Sequence, residues 1–184
     1  MPITYTGRPP SISDLVVVDG NLFASTYASG VYRSTDGGFS WTQVNATKYS
    51  FYGLASIGPD IFAAAFNDQD KPLTGGVFIS TDNGNSWQHD DVDLPDHGVA
   101  SIYASGSYLF VGTETAIFAS SDLGATWMDI SSAAPFNGAT TTVWTNQSYL
   151  FANSGGGVWR YPLFILPGFT ETTKNEFSKN PKGG

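Results

Sequence analysis

Residues 120–127 read SSDLGATW, a polar turn built from Ser, Asp and Gly that runs directly into a tryptophan. The arrangement occurs twice more, as STDGGFSW at residues 34–41 and STDNGNSW at residues 80–87. What precedes the three boxes also aligns: GVYR (30–33), GVFI (76–79) and AIFA (116–119). A fourth copy, GVWRYPL (157–163), keeps that short apolar strand and loses the box. Further upstream, NLFASTY (21–27), DIFAAAF (60–66), YLFVGTE (108–114) and YLFANSG (149–155) correspond. So do DLVVVDG (14–20), YGLASIG (52–58), ASIYASG (100–106) and TTVWTNQ (141–147). Each unit therefore reads as three strands, a box, and a fourth strand opened by the Trp: WTQV, WQHD and WMDI. Four short strands returning every 40 to 46 residues are the pattern of β-propeller blades. The expected fold is all-β, with four blade units at about 14–49, 50–98, 99–138 and 139–163.

Each box residue has a structural task. Asp36, Asp82 and Asp122 can accept backbone N–H groups within their own turn. Gly38, Gly84 and Gly124 suit a positive φ. Ser34, Ser80 and Ser120 open the turn, and Trp41, Trp87 and Trp127 close it by capping the apolar space between blades. Burial of one such ring contributes about 2–3 kcal/mol.

The pattern S-x-D-x-G-x-[ST]-W resembles the Asp-box, or bacterial neuraminidase repeat, of sialidase-like propellers and photosystem II assembly factors. All three boxes match it, and the repeat frame covers about residues 14–163. The resemblance implies that the boxes are structural, on the blade periphery. It also implies an extracellular or periplasmic protein, although MPITYTGRPP has neither the basic start nor the apolar run of a signal peptide. A sialidase would further need three converging arginines and a Tyr–Glu pair. The chain has Arg8, Arg33 and Arg160 only, and Arg33 and Arg160 hold equivalent places on outer strands. Its glutamates are Glu114, Glu171 and Glu176, two of them near the C-terminus.

Composition narrows the function classes. A net charge of −8 with eight scattered Lys and Arg excludes the basic stripe of a nucleic-acid binder. No apolar run approaches the length of a membrane span. With no cysteine, neither disulfides nor thiolate chemistry enters. No cofactor is called for.

Binding is expected on the propeller face formed by the loops between blades and between second and third strands. Blade 2 carries two unusual ones, FNDQDKPLTGG (66–76) and QHDDVDLPDHG (88–98). They bring Asp68, Asp70, Lys71, His89, Asp90, Asp91, Asp93, Asp96 and His97 towards one region, the candidate binding face. Asp68, Asp70, Asp91 and Asp93 could offer oxygens to Ca²⁺; the plainer reading is a solvated acidic loop pair. Tyr27, Tyr49, Tyr52 and Phe136 could stack on sugar or simply pack the blades.

The function these residues favour is a non-catalytic binding or scaffold module with a protein or glycan partner. The alternative is a glycoside hydrolase fragment or remnant. Blade 4 lacks a fourth strand, which PITYT (2–6), within an N-terminal segment 1–13, or LFIL (163–166) could supply; PITYT is preferred because prolines bracket LFIL. Left open, the blade edges would favour a homodimer or larger ring. Residues 164–184 read as a disordered tail or linker.

Overall fold

A computed structural model describes residues 11–27, 29–46, 49–67, 74–90, 94, 98–131, 142–146, 148–154 and 157–167. The first sheet contains β1 (Ile12–Val18), β2 (Asn21–Thr26), β3 (Gly30–Ser34) and β4 (Thr42–Asn45). The second contains β5 (Ser50–Ile57), β6 (Asp60–Asn67), β7 (Thr74–Ser80) and β8 (Gln88–Asp90). The third contains β9 (Val99–Ser105), β10 (Tyr108–Thr113), β11 (Ile117–Ser120) and β12 (Met128–Asp129). The fourth has three strands, β13 (Thr142–Thr145), β14 (Tyr149–Ser154) and β15 (Gly157–Pro162). All pairings are antiparallel between consecutive strands, the meander of a propeller blade. Tight turns make this possible: Asp19 and Gly20 both take positive φ, 48° and 77°, as a two-residue hairpin turn requires.

The period-2 alternation of the middle strands of blades 2 and 3 feeds two cores at once. In β6, Ile61, Ala63 and Ala65 pack back onto Val18, Phe23 and Val31 of blade 1. Phe62 and Ala64, on the other side, join Ile102, Leu109, Val111 and Trp127 of blade 3. A third core joins Phe110 and Ile117 of blade 3 to Val143 and Leu150 of blade 4. The apolar interior is thus three layers between four sheets.

The three boxes fold alike. The Ser34 hydroxyl accepts Gly38 N–H at 2.9 Å and donates to Asp36 at 2.8 Å. Asp36 in turn accepts the Ser40 amide at 2.9 Å and its hydroxyl at 2.6 Å, and Trp41 Nε1–H donates to the Gly38 carbonyl. Asp82 and Asp122 repeat these contacts with Ser86 and Thr126. The Ser40 hydroxyl, followed by its amide and Ser34, lowers the Asp36 pKa to about 2. Asp82 and Asp122 are lowered for the same reason, chiefly by the Ser86 and Thr126 hydroxyls. Trp87 packs against the core between blades 1 and 2, and Trp127 in that between blades 2 and 3.

The second and third boxes also dock on the blade before them, Gly84 against Phe23 and Gly124 against Ile79. Arg33 donates through Nη1 to the Asn83 carbonyl at 2.6 Å and to Asn85 Oδ1 at 3.0 Å. A Cβ on Gly84, which already has φ +80°, would stand 2.8 Å from Phe23 Cε1. Where the fourth box is absent, LFIL adds no strand. Leu163–Ile165 form a 3-10 turn, and Leu163 and Leu166 are buried against Tyr108, Phe110 and Ala119 of blade 3. The Tyr108 hydroxyl donates to the Pro167 carbonyl, holding the turn in place. PITYT lies outside the described residues.

Two expectations follow. Gly84→Ala should cost roughly 2–4 kcal/mol, because left-handed backbone and overpacking combine. Leu123 also has positive φ, 62°, where blades 1 and 2 have Gly37 and Asn83; Leu123→Asn should stabilise by about 1 kcal/mol. Urea titrations of both variants measure these shifts. Separately, the Asp36 contribution is complete above the ordinary carboxylate value of 3.8 and is lost as pH falls towards about 2. Asp36→Asn should therefore lower the melting temperature at neutral pH, with the gap to wild type closing across that interval in thermal melts.

Candidate functional site

The first strand of every blade lies innermost, and together β1, β5, β9 and β13 line a groove of about 360 Å³. Its polar walls are Ser13 and Asp14, Tyr52, Ser101 and Tyr103, and Thr142. Registers with the second strands place Asp14, Gly53, Ser101 and Thr142 at one repeat position, each followed by an apolar residue. Leu54, Ile102 and Val143 turn into the cores between blades. The small or polar residue before each of them faces the groove.

Asp14 is fully engaged in holding this wall. Its Oδ1 accepts the Leu15 amide at 2.8 Å and its Oδ2 accepts the Leu54 amide of blade 2 at 2.9 Å. Ser13 Oγ donates to the Phe51 carbonyl at 2.5 Å and lies 2.7 Å from Ser25 Oγ. One carboxylate and one hydroxyl, those of Asp14 and Ser13, thus tie blade 1 to blade 2 along the groove. At one end, the Tyr52 ring meets Tyr27 edge-on at 4.9 Å and Phe66 at 5.8 Å. Tyr27 is exposed, so this aromatic group forms a rim that a ligand can reach.

The blade 2 loops supply less. Asp68, Asp70, Lys71, Asp91, Asp93, Asp96 and His97 lie outside the described residues, as does Phe136; Asp90 is seen only as backbone paired with Val77. His89 has a packing role: its ring stacks on Phe78 at 4.4 Å and its Nε2 bonds the Gly75 carbonyl at 2.6 Å. Tyr49 lies 5.5 Å from the same ring. Among the described residues no three His, Asp or Glu side chains cluster as metal ligands. Arg33 is bound to the blade 2 box, and Arg160 lies over Tyr149 on blade 4, 4.9 Å from the ring centre.

No family model and no curated protein matches the sequence. Solved structures do. YCF48 from Cyanidioschyzon merolae aligns with a TM-score of 0.57 at 16% identity, over 83% of this chain and 56% of its own. A structure of YCF48 bound to D1 peptide aligns equally well, at 18% identity over 84% and 55%. The extracellular domain of the one component system BT4673 from B. thetaiotaomicron gives 0.69 at 15% identity, over 86% and 22%. The computationally designed Ika4 protein gives 0.61 at 9% identity, over 87% and 96%. The fold is a β-propeller fold. The chain spans just over half of YCF48, under a quarter of BT4673 and nearly all of Ika4.

Asp14→Ala leaves the buried Leu54 amide without its acceptor and should cost roughly 1–3 kcal/mol. Asp14→Asn, which keeps one acceptor oxygen, should lose less. Chemical denaturation of the two variants checks the order.

Proposed function

We propose that this propeller is a non-catalytic module that binds an extended segment of another protein along the inner groove and its aromatic rim. The observation that carries the reading is the state of Asp14. A glycosidase needs two carboxyl groups across a cleft, one of them free to move a proton. Among the described residues, Asp14 is the only carboxylate lining the groove, and both its oxygens accept backbone amides. What the groove offers instead is hydroxyls, peptide edges and tyrosine rings, the groups that recognise a peptide main chain and its apolar side chains. The structure of YCF48 bound to D1 peptide supports a protein partner, and the BT4673 extracellular domain supports a place outside the cytoplasm.

The test is capture of extended peptides from a random library, followed by titration calorimetry. Tyr27→Ala and Tyr52→Ala should each weaken binding about tenfold, as expected when a contact of about 1.4 kcal/mol is lost. A chain that binds glycans and no peptides would change the partner class. Turnover of sialosides or β-glucans that disappears in Asp14→Asn would overturn the non-catalytic reading.

A further inference from the structure

The two outer faces of the four-sheet stack are unfinished copies of the contact that occurs three times inside it. Leu15 of β1 holds the repeat position of Leu54, Ile102 and Val143, each buried against the preceding blade. Leu54 is 6% exposed, whereas Leu15 is 59% exposed and its neighbour on the same face, Val17, is 64% exposed. Trp41 corresponds to Trp87 and Trp127 but belongs to none of the three cores. This open patch is confined to the inner strand and the box, since Tyr32 further out is buried.

Blade 4 shows the opposite half. Val158 of β15 holds the position of Val31, Val77 and Ile117, which pack forward onto the next blade. Val31 is fully buried; Val158 is 77% exposed, and Trp144 of β13, on the same face of the sheet, is half exposed. Among the described residues no element of blade 4 packs on blade 1 as neighbouring blades pack on each other. Among the described residues, the inner strand of blade 1 and β15 of blade 4 are left without a facing blade.

We propose that a second copy of this chain covers both. The Leu15–Val17 face of each protomer meets the Trp144–Val158 face of the other, so the inner-strand part of the blade-to-blade contact recurs twice and two arcs close an eight-blade ring. The argument is continuity: the missing partner of each face is of the kind the other face presents. Eight blades is within the range such rings adopt. Closure also makes the second contact intramolecular once the first has formed, so the two reinforce each other.

Sedimentation equilibrium of the full chain over a wide concentration range tests this. The expected mass is twice the 19.6 kDa of one chain. Val17→Asp and Val158→Asp lie on opposite faces, and each alone should give the single-chain mass, because each spoils both contacts of the ring. Circular dichroism establishes that the variants remain folded. An equimolar mixture of the two should recover a two-chain species through its one intact contact, which no face-to-same-face dimer would do. A wild-type chain that stays monomeric throughout, a dimer that survives both substitutions, or a mixture that stays monomeric would overturn the proposal.

Discussion

No sheet in this protein can stand alone. Each blade is a meander of three or four short strands with apolar side chains on both faces, and one layer of that kind leaves half its apolar area in water. Packing of blade on blade is therefore the interaction on which everything else depends. It explains why alanine and glycine recur in the middle strands, as in Ala63, Ala64 and Ala65 of β6: neighbouring sheets must approach closely on both sides. It also explains why phenylalanines recur beside them. Phe23, Phe62 and Phe110 occupy one repeat position, and each is completely buried.

The boxes serve the same contact from the periphery. A turn with two successive left-handed residues, such as Asn83 and Gly84, needs internal support. The carboxylate of Asp82 provides it by accepting an amide and a hydroxyl from Ser86. The turn so fixed is then small enough to rest on Phe23 of the blade before it. Charge here shapes the backbone: both carboxylate oxygens of Asp36, Asp82 and Asp122 accept hydrogen bonds from within their own turn.

Strand order, blade count and box geometry were legible because they repeat. Repetition turns weak local signals into strong ones, and the registers fall where the repeat alignment places them. The groove was legible too, although reading the first strands singly hid it. Stacked, Asp14, Gly53, Ser101 and Thr142 form a small or polar column beside the apolar column of Leu15, Leu54, Ile102 and Val143. Acidic density drew attention to the blade 2 loops instead, and His89 there proved to be stacked on Phe78. Tyr27 and Tyr52 were visible as residues, but their pairing joins two blades and no local pattern encodes it. The turn at Leu163–Ile165 was hidden for another reason: an apolar four-residue run reads equally well as a strand or as a plug.

Three cores shared among four blades distribute cohesion unevenly along the chain. Among the described residues, blades 2 and 3 share a core on both sides, whereas blades 1 and 4 each share a core on one side. In an array of nearest-neighbour contacts, opening begins where neighbours are fewest. The backbone amides of β6 and β10 should thus exchange with solvent most slowly, and those of β1 and β15 most readily. Peeling from the ends can proceed without disturbing the middle pair, so the protein has a resilient centre and yielding margins.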